Sequence, residues 1–114
     1  MTNQGKKYLS DILQAIELIE LFTSNIPDYN TYLSDLKTQS AVERQLGIIG
    51  EAVNKFDKLF PEQNLENTRE IIGFRNRLIH TYDAIDQSII WVIIKKHLAP
   101  LKDEVASTHQ RINA

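Results

Sequence analysis

The chain has 114 residues, of which 42% are hydrophobic and 25% charged, and its net charge is −2. That is the size and composition of one globular domain spanning residues 1–114, too short for a second core, and the slight negative charge argues against a protein that binds polyanions with its whole surface. No apolar run is long enough to span a membrane, the first dozen residues lack the apolar stretch of a secretory signal, and the absence of cysteine excludes a disulfide framework, a thiolate metal site and a thiol nucleophile. A cytoplasmic protein is the expectation.

Four Gly and three Pro are too few for a turn-rich β fold, and hydrophobic periodicity predicts five helices and no strand. In residues 6–23, Tyr8, Ile12, Ala15, Ile19 and Phe22 recur at steps of four and three, with Leu9 and Ile16 beside them, so one face is expected to be buried. Pro27 ends this helix, because the residue before a proline is pushed out of helical geometry. Asp28 is the expected N-cap of a short helix over residues 29–36. A third helix is predicted over residues 39–60 with Thr38 as N-cap. Val42, Leu46, Ile49, Val53, Phe56 and Phe60 form its stripe, and Ala41, Ile48, Ala52 and Leu59 form a second row. Gly47 and Gly50 each cost this helix about 1 kcal/mol of propensity relative to Ala; either another helix passes close by or they are merely tolerated.

Residues 61–66 read as a polar connection. Asn67-Thr68-Arg69-Glu70 then has the pattern of a capping box, with Asn67 as cap, opening a fourth helix that ends near His80. A turn over residues 82–85 leads to Asp86, the expected cap of a fifth helix with Trp91, Ile94, Leu98, Leu101 and Val105 as its stripe. Pro100 should kink that helix or start a new segment. The polar tail, residues 107–114, is expected to fray. Long amphipathic helices with short connections make an antiparallel four- to five-helix bundle, an all-α fold.

The fourth helix carries the candidate chemistry. At about 100° per residue, Ile71, Ile72, Phe74, Leu78, Ile79 and Tyr82 cluster on one side and Arg75 falls in the middle of that arc, whereas Arg77 points away. A guanidinium among apolar side chains needs an anion. Glu43 or Glu51 of the third helix would supply an internal salt bridge; a bound phosphate would equally suit the planar fork of arginine. Asn76 and His80, four apart, share one edge; Arg75 and Tyr82, seven apart, share the neighbouring one. Taken alone, His80 is a histidine at a helix C-terminus, favoured by the macrodipole. His97 reads as a packing residue and Lys95-Lys96 as a solvated face. Asp83 and Asp86 read as caps rather than cation ligands, and no zinc-ligand spacing or glycine-rich phosphate loop occurs.

The segment from Arg75 to Tyr82 matches the Arg-x4-His-x-Tyr signature of HepT-like proteins, minimal members of the HEPN superfamily, with Asn76 as the polar residue typical after the arginine. The Tyr8-Leu9, Ile12-Leu13 and Ala15-Ile16 pairs resemble the family's opening helix. Ala41-Val42, Arg44, Leu46 and Ile48-Ile49-Gly50-Glu51-Ala52 resemble its third-helix segment, and Ile72-Gly73-Phe74 and residues 86–91 also fit. The resemblance covers residues 6–105. Two departures are Ser40, where many members carry an acid, and the missing tryptophan just before the motif helix's arginine. The resemblance implies a helical bundle that homodimerises through the motif-bearing helices, so that two motifs line one cleft. It implies a metal-independent ribonuclease toxin acting on tRNA or mRNA without a cofactor, with Arg75 and His80 catalytic and Asn76 supporting. It further implies a small MntA-like nucleotidyltransferase antitoxin that silences the toxin by adenylylating Tyr82. The alternative from a different class is a non-catalytic partner of such a nucleotidyltransferase, binding nucleotides without cleaving RNA.

Overall fold

The computed structural model describes residues 3–63, 65–80 and 85–113; of these, the side chains of residues 77–80, 112 and 113 are outside the description. Helix α1 (Asn3–Thr23) is followed by α2 (Tyr29–Leu33), α3 (Leu36–Leu59), a 3₁₀ turn (Pro61–Gln63) and α4 (Arg69–His80). Then α5 (Gln87–Val92), a π-helical turn (Ile93–His97) and α6 (Leu98–Asn113) run on as one rod. The described residues thus form five helical rods and contain no strand, the all-α architecture expected from the periodicity. No helix among the described residues is long and apolar enough to cross a membrane.

α1 lies against α3 and α6, and α4 against α3 and the π turn. Leu9, Ile12, Ile16 and Ile19 of α1 meet Val42, Leu46, Ile49, Val53 and Phe56 of α3 in one core, which Ile71 and Phe74 of α4 and Ile90, Ile93, Leu101 and Val105 of the last rod complete. Truncating one of these side chains to Ala costs about 2–5 kcal/mol, lost transfer energy plus the cavity left behind. The centre of the α1 stripe is rotated from the expected one: Leu9, Ile16 and Thr23 are buried, whereas Tyr8 and Phe22 stand half-buried at its margin. Two neighbours cover α1, and the row between them is the most enclosed.

Several helix ends differ from expectation, each because a competing partner wins. Asp28 caps α2 as predicted, accepting from Thr31 N at 2.8 Å. α2 closes at Leu33, and α3 opens early, at Leu36, because Asp35 rather than Thr38 is its N-cap. The Asp35 carboxylate accepts from both Thr38 N (3.0 Å) and the Thr38 hydroxyl (2.7 Å), bonds to an ionised acceptor that a threonine cap cannot match. Buried Gln39 donates its amide to the carbonyls of Tyr32 and Leu33, both at 2.9 Å, satisfying the end of α2. The capping box at Asn67 is not what opens α4. Asn67 turns its backbone N–H (3.0 Å) and its amide (3.1 Å) to the Glu104 carboxylate of α6, which also takes Glu66 N at 2.7 Å. Glu70, the other half of the expected box, faces His97.

The last rod corrects a second expectation. Its buried apolar residues are Ile90 and Ile93, then Leu98, Leu101 and Val105; Trp91 and Ile94 are only half-buried. The step from Ile93 to Leu98 is five residues because Leu98 N donates to Ile93 O, the i to i−5 bond of a π turn. One extra residue keeps both halves of the rod facing the core. Pro100, which has no N–H to donate, follows directly after the π turn, where the regular ladder is already interrupted. The tail is helical rather than frayed: α6 runs to Asn113, Thr108 is buried and bonds Glu104 O, and His109 lies 3.4 Å from Ser10 of α1. The expected turn at residues 82–85 lies mostly outside the described residues.

Candidate active site

α4 runs antiparallel to α3. Leu65 N meets the Asp57 carboxylate at 3.2 Å where the connection leaves α3, and Arg75 meets Gly50 further back along the same helix. Ile71 and Phe74 are buried, and Arg75 follows on the same side, half-buried; Asn76 is exposed. This is the orientation read from the helical wheel.

Gly50 is what lets Arg75 lie there. A Cβ built on Gly50 would stand 2.8 Å from Arg75 Cβ, 2.9 Å from Cδ and 3.1 Å from Cγ, closer than packed carbon atoms tolerate. The stem of the arginine therefore lies in the gap left by the missing side chain. The same construction at Gly47 meets no described atom within 4 Å. Among the described residues, Gly50 marks a close helix approach and Gly47 does not.

Neither proposed internal partner holds the guanidinium. Glu43 accepts from Gln87 Nε2 at 2.9 Å, and Glu51 pairs with Lys55, one turn along its own helix, at 3.2 Å. Among the described residues no carboxylate forms an ion pair with Arg75. An arginine stem packed in a helix crossing, with no described carboxylate paired to its charge, leaves a planar fork that could receive an anion.

His80 is the final residue of α4, about 7.5 Å along the axis from Arg75 at 1.5 Å per residue. The His80 and Arg77 side chains, and Tyr82 and Asp83 altogether, lie outside the described residues, as does the part of the apolar arc formed by Leu78 and Ile79. Asp86 caps α5 as expected, accepting from Ser88 N at 2.9 Å.

The remaining candidates have structural roles. His97 is half-buried with Nδ1 3.8 Å from the Glu70 carboxylate, a long contact. Lys95 and Lys96 are exposed, as expected of a solvated face, and the Lys95 ammonium stands 4.6 Å over the Trp91 ring. Among the described residues no group of three or more His, Asp or Glu side chains is placed to hold a metal ion. A concavity of about 360 Å³ between α1 and α3, lined by residues including Asp11, Leu18 and Arg44, and an apolar one of about 230 Å³ beside Ile89, Val92 and His97, do not include Arg75.

Gln87 had no motif to mark it. It bridges two elements: its amide nitrogen donates to Glu43, and its oxygen accepts from the Tyr32 hydroxyl at 2.9 Å.

Comparison with known proteins agrees with the geometry. The family model described as Ribonuclease HepT-like matches residues 12–108. A probable ribonuclease HepT of Thermococcus cleftensis is 43% identical over 106 residues, covering 90% of this chain and 93% of that protein. A candidate RNase of Methanocaldococcus jannaschii is 38% identical, covering 88% of this chain and 92% of its own length, and one of Caldanaerobacter subterraneus is 34% identical with 93% and 95% covered. No solved structure matches the chain. A family match over most of the chain, together with relatives matched nearly end to end, places the bundle and its Arg75-bearing helix in one lineage: the chain belongs to the HepT-like ribonuclease family.

Proposed function

We propose that this protein is the ribonuclease toxin of a toxin–antitoxin pair, cleaving RNA without a metal ion in a cleft built from the motifs of two subunits. The observation that carries the reading is Arg75, seated against Gly50 on the core side of α4 with no carboxylate of the described residues paired to it. The family and the names of its members supply the substrate class.

Cleavage of this kind needs a base to take the proton of the ribose 2′-OH and a cation to bear the charge that grows on the non-bridging phosphate oxygens. It also needs an acid to protonate the departing 5′-oxygen. The 2′-oxygen attacks, the P–O5′ bond breaks, and the products are a cyclic phosphate and a 5′-hydroxyl. Histidine titrates near neutrality and suits either proton-transfer task. A dimer brings two copies of His80, one for each. Arg75 stabilises the developing charge, and Asn76, exposed on the same helix, supports the bound phosphate. Adenylylation of Tyr82 by a nucleotidyltransferase antitoxin would put an anion beside Arg75 and repel the substrate.

The test is to incubate the purified chain with tRNA and mRNA in the presence of a chelator and to measure its mass in solution by analytical ultracentrifugation. Cleavage by a dimer supports the reading. RNA left intact by a folded dimer that binds nucleotide turns it into a non-catalytic binding partner, and a strict monomer at micromolar concentration removes the composite cleft.

A further inference from the structure

The chain is held against α3 at two points, one at the start of the motif and one after it. The first is Arg75 in the gap at Gly50. The second is the hydrogen bond from Gln87 Nε2 to Glu43. Glu43 and Gly50 are seven residues apart, two turns of one helix, so they share a face and stand about 10.5 Å apart along the axis. Residues 76–86 are what the chain threads between these two points, and they include Asn76, His80 and Tyr82.

The second point is itself braced. Tyr32 is fully buried, its carbonyl takes the Gln39 amide at 2.9 Å, and its ring packs 5.4 Å from that of Trp91. Burial first, then the nearby Glu43 carboxylate, push its phenol far above the ordinary value, so it remains a donor. Glu43, when ionised, only accepts. A residue placed between a fixed donor and a fixed acceptor must accept on one side and donate on the other. A glutamine amide does both in one orientation, oxygen to Tyr32 and nitrogen to Glu43. All the groups are partly or fully buried, so leaving one unmatched is costly.

We infer that Glu43 and Gln87 form a positioning pair: they fix the start of α5, just after the motif, on α3, as Gly50 seats Arg75 at its beginning, and so set the placement of the catalytic group that the chain carries between them. The inference rests on the ribonuclease reading for its kinetic consequence, but not for its structural one. Neither residue touches substrate in this scheme; each acts through the segment it holds.

Exchanging the two side chains is the test. Gln87→Glu sets two carboxylates against each other, and Gln87→Leu strands both Tyr32 and Glu43. The double variant Glu43→Gln with Gln87→Glu restores an amide donor facing a carboxylate and returns an acceptor to Tyr32. For RNA cleavage, Gln87→Glu and Gln87→Leu should each lower kcat by about 10–100-fold with KM changed much less, since displacing a reacting group by an ångström costs on that order. The exchanged pair should recover most of the loss, which a general loss of stability would not do. Independently of any cleavage, backbone amide exchange of residues 76–86 should quicken in Gln87→Leu and return to normal in the exchanged pair, with α1 and α3 unaffected. Unchanged exchange and unchanged kcat in Gln87→Leu overturn the inference, as does an exchanged pair that folds yet recovers neither. If the wild type cleaves no RNA, the ribonuclease reading fails while the exchange measurement still decides the positioning role.

Discussion

Gly50 and Arg75 occupy one volume: the space in which any other residue at position 50 would carry its Cβ is filled by the Cβ, Cγ and Cδ of the arginine. The glycine of the third helix and the arginine of the motif are therefore one structural feature, although 25 positions separate them in the chain.

Gly50→Ala should destabilise the protein by about 1–3 kcal/mol, the usual cost of overpacking, because the clash falls on the root of the Arg75 side chain as well as its flexible end. RNA cleavage should fall with it. Gly47→Ala should do the opposite, raising stability by up to about 1 kcal/mol through helix propensity. Thermal unfolding of the two variants side by side checks this; equal effects would mean that the close approach at Gly50 is not there.

Arg75→Ala and His80→Ala should each abolish RNA cleavage and growth toxicity while the helical circular-dichroism signal survives. Arg75→Lys keeps the charge but loses the planar fork and should stay at least about tenfold below wild type. Arg77→Ala should matter much less. If Arg77→Ala inactivates as strongly as Arg75→Ala, the assignment of the phosphate-binding arginine is wrong.

Tyr82→Phe should retain cleavage, because a phenol titrating near pH 10 is a poor base at neutrality, but should lose the acceptor hydroxyl. With a cognate nucleotidyltransferase and ATP, intact-mass spectrometry should show AMP on the wild type and none on the variant. Addition to the Phe variant would move the acceptor elsewhere.

Asp57 and Asp35 should respond to pH with opposite signs. Burial raises the Asp57 carboxyl above its ordinary value near 3.8, against the lowering effect of Leu65 N–H, and Glu104 adds to the rise. The folded state therefore holds this proton more tightly than the unfolded one, and the contribution to stability declines as pH rises through the folded value. Asp57→Asn, which keeps an acceptor for Leu65 N, should remove that decline and be as stable as wild type, or more so, at pH 7. The Asp35 carboxyl is lowered, first by the Thr38 hydroxyl and then by its N–H. Its contribution is present above pH 3.8 and lost as pH falls through the folded value, so Asp35→Ala should destabilise at pH 7 and change little in strong acid. Urea titrations across pH decide both.

Deleting Lys96, exposed within the π turn, would make the step from Ile93 to Leu98 four residues and leave an ordinary α-helix in the same phase. The deletion should fold, with a thermal midpoint within about 5 °C of wild type. Inserting an Ala at the same place should turn α6 by about 100° away from the core and cost far more. A deletion as damaging as the insertion would show that the π turn is not a phase correction.

The sequence by itself determined the helices, since an amphipathic period survives whatever the helix packs against. It also determined the caps at Asp28 and Asp86, whose partners lie two or three residues away, and the core-facing side of Arg75, which follows from its spacing to Ile71 and Phe74. What only the tertiary structure decided are choices among partners distant in the chain. Glu43, one of two candidate partners for Arg75, bonds Gln87 instead, 44 residues on. Asn67 gave up a local capping box for Glu104, 37 residues on. The π turn left no mark in the composition, because an added residue shows only when both ends of a rod must face one core. Gly50 and Gly47 look alike as letters and differ in which described side chains pass over them. Local periodicity is a property of the chain, whereas the pairing of a donor, an acceptor or a gap with its occupant depends on which surfaces the packed helices bring together.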